Sequence, residues 1–293
     1  MSVVHPHVDH RFAAAETPQL PWLIALAGFA AMYLPVWWSA ANGIWQTDDN
    51  GHGPIIGVVL LYLFWTRWRA VVDAPARPAP AAGWPLFAAG LLLYVFGRAF
   101  NISSVEFVSQ ILVVAATLLL VRGPDALRAA WFPVLYMVFM IPLPGSLVDA
   151  VTGPLKQSIS DIVETLLYAA GYPIARTGVV LSIGQYQLLV ADACSGLHSM
   201  FSLAALGTLF MYLMHRKSRL HNAVMLAAIL PVAFVANIVR VIVLVLVTYH
   251  LGDEAGQGFL HGTAGIVLMI VALGILFGLD ALLKLALRDR SAR

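Results

Sequence analysis

The sequence predicts an all-α membrane protein of about eight transmembrane helices, with an outer-face amphipathic segment and a short β-hairpin. Three observations carry that prediction. The 293 residues are 60% hydrophobic and only 11% charged, whereas a soluble domain carries about a quarter charged residues. Uncharged runs long enough to cross a bilayer recur along the chain. Lys and Arg gather in alternate loops, the asymmetry that orients a polytopic protein.

Residues 1–19 read as a solvated, cytoplasmic tail with His5, His7 and His10, and residues 20–293 as one polytopic domain. The first apolar run, about Leu20–Ala41, is too long for a cleavable signal and is followed by many others, so it reads as a retained anchor. Pro35 lies within it, and Trp37-Trp38 suits a membrane interface. The loop Asn42–Gly53 holds Asp48, Asp49 and His52 but no Lys or Arg. Helix two covers about Pro54–Trp68, and Arg67, Arg69 and Arg77 mark its end and a Pro/Ala-rich linker. Helices three and four cover about Trp84–Phe100 and Val105–Val121, with Arg122 and Arg128 at the turn that follows. Helix five stops at Ile141-Pro-Leu-Pro-Gly145, because proline removes an amide donor and clashes with the preceding turn.

Residues 146–193 differ in kind. Leu155, Ile159, Ile162 and Leu166 share one helical face, while Lys156, Gln157, Ser160, Asp161 and Glu164 lie mostly elsewhere, as in a helix resting in the interface. Thr177–Ile183 and Tyr186–Val190, separated by Gly184-Gln185, read as a β-hairpin. Helix six runs from Cys194 to about Met214, helix seven from about Asn222 to Tyr249, and helix eight from about Phe259 to Leu287.

With the N-terminus in the cytoplasm and eight crossings, both termini are inside. The inner side then receives 13 of the 17 Lys and Arg residues, leaving Arg98, Lys156, Arg176 and Arg240 to the outer half. That orientation places residues 146–193 and the start of helix six on the outer face. No internal repeat, phosphate loop, dinucleotide fingerprint or paired-histidine zinc motif is present. A single cysteine excludes an intrachain disulfide and a cysteine-rich zinc site. The sequence calls for no cofactor, metal or nucleic-acid partner; the lipid bilayer is the partner that composition requires.

That cysteine, Cys194, opens helix six in the stretch Gln187-Leu-Leu-Val-Ala-Asp-Ala-Cys-Ser-Gly-Leu-His-Ser-Met200. A helix N-terminus favours thiolate over thiol, and Asp192 and Ser195 are capping residues on either side. On its own, such a cysteine is ordinarily a small buried hydrophobe. Arg240 changes the weighing. It lies in helix seven, nine residues before Tyr249 and roughly 14 Å from the outer end. An arginine at that depth is costly and ordinarily faces a polar cavity, the bland alternatives being a structural ion pair or outward snorkelling. Asn237, three residues earlier, shares its face. His261 opens helix eight at the same end in Leu260-His-Gly-Thr-Ala-Gly265, and His198 follows Cys194 by one helical turn. Either histidine can be an ordinary interfacial or hydrogen-bonded residue. His52 has only its side of the membrane to recommend it, and His215 and His221 fall on the inner side. A thiolate nucleophile, a proton carrier near pH 7 and a donor for a developing oxyanion are what acyl transfer needs.

These residues resemble the motifs of the exosortases, a family grouped with the archaeosortases. The resemblance rests on Ala193-Cys-Ser-Gly-Leu197, on Asn237-Ile-Val-Arg240, and on His261 followed by Gly265, with the eight-helix layout agreeing over most of the chain. The length and the run Ala-Asp-Ala-Cys-Ser-Gly-Leu-His are most like the exosortase B subgroup. The resemblance implies a membrane cysteine transpeptidase of the bacterial inner membrane, its active site facing the periplasm and Cys194, Arg240 and His261 catalytic. Asp192, Asn237 and His198 are auxiliary candidates. His198 stands where many relatives have Arg, which leaves the proton carrier open between it and His261. The implied substrates are exported proteins with a C-terminal Pro-Glu-Pro (PEP-CTERM) signal, cleaved through a thioester that an amine or water resolves. A cation must then meet the signal's glutamate, and Arg176, with Arg98 second, is the expected reader. The rival reading is a transporter or polysaccharide-export component, with Arg240 and Asp192 lining a path and Cys194 used for packing. A transporter would set polar residues near the midplane of several helices, whereas these gather near one face.

Overall fold

Long apolar runs of this kind satisfy their backbone internally only as helices, and helices dominate the chain. The computed structural model describes residues 19–47, 50–143, 145–189, 196–214, 218–262 and 264–291. Within that range, side chains are not described at 145–149, 151–152, 196–200, 219, 259–262, 264 and 286–291. The helices are α1 (Gln19–Ala41), α2 (Gly53–Val72), α3 (Pro80–Phe100), α4 (Ser103–Val121), α5 (Pro124–Ala129), α6 (Trp131–Tyr136) and α7 (Gly145–Ala169). After a small sheet come α8 (Gly196–Met214), α9 (Arg219–Leu251), α10 (Asp253–Gly262) and α11 (Ala264–Ser291). Tight 3-10 turns occupy Ile44–Gln46 and Met137–Met140.

Among the described residues six helices are long and apolar enough to cross a membrane, those numbered α1 to α4, α9 and α11. An all-α membrane protein is borne out, while of the expected eight or so transmembrane helices six reach spanning length among the described residues. The fifth apolar run is broken: α5 and α6 meet at Ala130, a 3-10 turn follows, and the apolar helix Trp131–Met140 is too short for an ordinary span. In α8 the described apolar portion, Phe201–Met214, is also short. Expected helix eight divides as well. Residues 253–262 form the separate helix α10, and α11 starts after Thr263.

Two helices are buried along half their spans, α4 and α9, and each centres one part of the molecule. The hairpin of α3 and α4 closes through glycines. Gly83, Gly90 and Gly97, seven residues apart, oppose Leu120, Val113 and Glu106. A methyl group at Gly90 would come within 2.8 Å of Val113 Cγ2, and one at Gly97 within 2.8 Å of Glu106 Cγ. Asn101 turns the chain in the left-handed region at φ 54°, which its short polar side chain tolerates. Around α4 pack α1, α2 and the Trp131–Met140 segment, through Tyr33, Val36, Leu63, Phe107 and Phe132.

The second part is built on α9. One of its faces, Val232, Ala233 and Ala236, packs with Leu203 of α8 and with Leu268, Ala272 and Leu276 of α11. Farther along, Val241, Leu244 and Val245 pack with α7 and the sheet. That sheet is an antiparallel meander of β1 (Ile174–Thr177), β2 (Val180–Ile183) and β3 (Tyr186–Leu189). The expected hairpin is present as β2 and β3 around Gly184-Gln185, and β1 is an added strand. Both two-residue turns open on a glycine at positive φ, Gly178 at 64° and Gly184 at 56°, as a type II′ turn requires. The buried face of α7 is Ile159, Val163 and Leu167 rather than Ile162 and Leu166, and Leu166 is half exposed. The helix is turned by its two partners, α9 and the sheet.

The basic residues follow the two ends of this arrangement. At one end Arg122 Nη1 donates to the Ala74 carbonyl (3.2 Å), Arg67 Nε donates to Tyr212, and His221 of α9 pairs with Asp280 of α11 (2.9 Å). At the other end lie His52, the Asn101 turn, the sheet and the C-terminus of α9, whose Tyr249 stacks edge-on against Tyr172.

Candidate active site

An arginine can be held inside an apolar bundle only where its charge has a use or a partner. Arg240 is 6% exposed, and Asn237 is 2% exposed. Both stand on α9, eleven and more residues before its end at Leu251, so Arg240 lies roughly 16 Å below that end. Its neighbours on the helix face are Ala236 and Leu244, one from each of the two apolar clusters. Arg240 thus occupies the seam where α9 passes from packing on α8 and α11 to packing on α7 and the sheet. The Asn237 Oδ1 atom is fully buried and has no hydrogen-bond partner among the described residues. An acceptor left in that condition is costly in a folded protein, by about 1–3 kcal/mol.

Two further segments carry the other sequence candidates. Strand β3 ends at Leu189, and α8 begins at Gly196, two residues after Cys194. Cys194 and Asp192 lie outside the described residues, as does the His198 side chain, although the backbone at 198 is helical. On the other flank, α10 packs back on α9, with Gly256 against Thr248. His261 falls in the last turn of α10 rather than at the head of a long helix, and its side chain is not described. The first turns of α8 also meet α2. The imidazole of His52 sits edge-on to Phe201 with ring centroids 6.0 Å apart, and Phe139 packs on the same ring at 5.1 Å.

Arg176 and Arg98 are each engaged with carboxylates. Arg176 on β1 donates Nη2 to Asp161 (2.9 Å), Nε to Glu164 (3.1 Å) and Nη1 to the Gly178 carbonyl (3.1 Å). Ile174 and Arg176 face α7 together, so this fork ties the sheet to the amphipathic helix. Arg98 approaches Glu106, a carboxylate 5% exposed, at 3.4 Å. The sequence reading gave both arginines to a substrate and missed these partners. The Asp161 and Glu164 spacing, three residues apart on a helix, is the signal that pointed to one of them. No group of metal-ligating residues occurs among the described residues.

A search of curated proteins and a search of solved structures return no match. The model of the transmembrane exosortase family matches residues 37–278, from the last turns of α1 to the middle of α11. That stretch contains the buried Asn237–Arg240 pair, Cys194 and His261 together, and on it the chain belongs to the transmembrane exosortase family.

Proposed function

We propose that this protein is a cysteine endopeptidase and transpeptidase that cleaves C-terminal Pro-Glu-Pro sorting signals of exported proteins, most like exosortase B. The observation that carries the proposal is the burial of Arg240 beside Asn237 on α9, in a chain that also carries Cys194 and His261. The Cys194 thiolate attacks the scissile carbonyl. The resulting oxyanion takes hydrogen bonds from Arg240 or from backbone amides at the start of α8. Collapse breaks the C–N bond, the leaving amine takes a proton from His261 or His198, and a thioester remains. An amine or water then attacks the thioester and returns the thiol. Transfer to an amine needs no ATP, since the thioester keeps the acyl-transfer potential.

Orientation follows from the same reading. The end bearing Arg67, Arg69, Arg77, Arg122 and Arg128 is cytoplasmic, as are both termini, and the site faces the periplasm of an inner membrane. A substrate glutamate needs a cation there, and Arg176 serves by exchange. Asp161, whose side chain is 65% exposed, gives way to the incoming carboxylate, while Glu164 keeps the fork oriented. Arg98 is second, because its partner Glu106 is buried and harder to displace.

The deciding experiment is processing of a Pro-Glu-Pro substrate in membranes. Cys194→Ala is expected to abolish cleavage with the protein still folded, and full cleavage by that variant would return the chain to the transporter reading. Arg176→Glu is expected to impair the Pro-Glu-Pro substrate and to recover part of the loss with Pro-Lys-Pro. Normal processing by Arg176→Glu would eliminate Arg176 and pass the role to Arg98. The mass of the new C-terminus, compared with the free acid, separates transfer from hydrolysis.

A further inference from the structure

One edge of the small sheet is open at Arg176. The closing pair of the two-residue turn between β1 and β2 is Thr177 and Val180, and main-chain bonding to β2 falls on every second residue from there. Gly184 N donates to the Pro173 carbonyl (3.2 Å), so residues 173, 175 and 177 are the ones that face β2. Ile174 and Arg176 therefore turn their N–H and C=O groups outward. Ile174 N is satisfied locally by the Tyr172 carbonyl (2.9 Å). Among the described residues no backbone group from beyond the sheet bonds to Arg176 N or to its carbonyl. A strand edge is ordinarily blunted by a charge laid over it or by a covering element. Here the charge is drawn aside: the Arg176 guanidinium lies against α7, forked between Glu164 and the exposed Asp161. Ala175 and Thr177 are exposed on the opposite face of the sheet. The other edge, β3, turns out Gln187 and Leu189 and carries no cation.

We propose that the free edge of β1 binds the sorting signal as an added antiparallel strand, with the signal's glutamate opposite Arg176. The inference rests on the Pro-Glu-Pro substrate of the proposed function. In this register the glutamate N–H donates to the Arg176 carbonyl, and the glutamate carbonyl accepts from Arg176 N. Residues directly opposite each other share a face, so the glutamate side chain falls beside the guanidinium, where Asp161 yields to it. One arginine thus meets both the main chain and the side chain of the glutamate. The two prolines flank it with their nitrogens turned away from β1, where a missing N–H forfeits no bond. The second proline also holds the glutamate extended. A slip of one residue sets a proline nitrogen against the Arg176 carbonyl and sends the glutamate to the other face. An acidic residue between two prolines is therefore the pattern that fits an edge with one open residue.

Disulfide cross-linking tests the register without any cleavage. The first proline lies opposite Thr177 and the second opposite Ala175, as non-hydrogen-bonded pairs whose Cα atoms are about 4.5 Å apart, within disulfide reach. The full-length Cys194→Ala protein has no thiol of its own, so Ala175→Cys, Thr177→Cys or Ser182→Cys in that background supplies the sole one. The probes are signal peptides in which the motif reads Cys-Glu-Pro or Pro-Glu-Cys. Thr177→Cys is expected to capture Cys-Glu-Pro, and Ala175→Cys to capture Pro-Glu-Cys, each about tenfold faster than the swapped pairing. Ser182→Cys, on the same face but one strand inward, is expected to react at the swapped-pair rate. N-methylation of the glutamate nitrogen in the Pro-Glu-Pro peptide removes its donor and is expected to weaken binding to Cys194→Ala about tenfold. Equal rates for matched and swapped pairs, capture at Ser182→Cys as fast as at the edge, or no capture at all overturns the added strand. An N-methyl peptide that binds as well as the unmodified one overturns it too. A protein that cleaves Pro-Glu-Pro substrates without this pattern loses the edge and keeps the protease reading. One that shows the pattern and cleaves nothing keeps the edge and loses the protease reading.

Discussion

Helices α4 and α9 make an instructive pair. Each is half-buried along its span, each anchors one part of the molecule, and each carries polar residues into an apolar interior. In α4 those residues are all partnered. Glu106 meets Arg98, Ser109 meets the Tyr33 hydroxyl at 2.9 Å, and Gln110 accepts from Trp37 Nε1 at 3.1 Å. In α9 the Asn237 Oδ1 and Thr248 Oγ1 atoms are buried with no partner among the described residues. Satisfied networks stabilise a fold, whereas buried polar atoms left open are costly and persist where something else makes use of them. The contrast fits α4 as scaffold and, under the proposed function, α9 as the working helix.

The largest expected effect tests the working helix. Arg240→Lys keeps the charge but loses the planar fork of donors, and processing is expected to fall by about 100-fold or more. The midpoint of thermal unfolding in detergent should move little. Equal loss of folding and activity would make Arg240 a scaffold residue and erase the distinction. Next in size is the scaffold. Gly90→Leu drives a side chain into Val113 and is expected to destabilise the protein by about 1–3 kcal/mol. Gly274→Ala in α11 has open space around it and is expected to be neutral or slightly stabilising. Denaturant titration of the two variants checks both. The smallest effect is the sharpest, because its sign differs between the helices. Ser109→Ala leaves the Tyr33 hydroxyl buried without its partner and is expected to cost about 1–2 kcal/mol. Asn237→Leu removes an acceptor that has none, so stability is expected to hold or rise while processing drops. Destabilisation by Asn237→Leu comparable to Ser109→Ala would put Asn237 in the scaffold.

Much of this was legible in the sequence, for reasons that are local. Apolar length marked α1 to α4, α9 and α11, and Gly184-Gln185 between two β-rich runs marked the β2–β3 turn. Strand β1 was hidden because four residues between Pro173 and Gly178 carry too short a pattern to read. The break between α10 and α11 had a signal in Gly256, Gly258, Gly262 and Gly265, a density of glycine that a continuous span does not need. The face of α7 came out one step rotated because two partners share it, and periodicity cannot count partners. Arg240 and Asn237 stood out because charge and amide deep in an apolar run are conspicuous by themselves. The meeting of His52 with Phe201 was invisible, since nothing in either neighbourhood refers to the other.

The glycine-lined hairpin has a consequence for the order in which the molecule is made. Its two helices are joined at Asn101-Ile102, so its contacts link residues close in sequence and cost little loop entropy. It can therefore close as soon as α4 has left the ribosome, without waiting for α7 to α11 to emerge. The second part joins Phe201 to His52, and α8 to α9 and α11, so it cannot be completed until translation has passed residue 264. A nascent chain of this protein thus carries a closed hairpin early in its synthesis, and the packing on both sides of Arg240 is assembled only at the end.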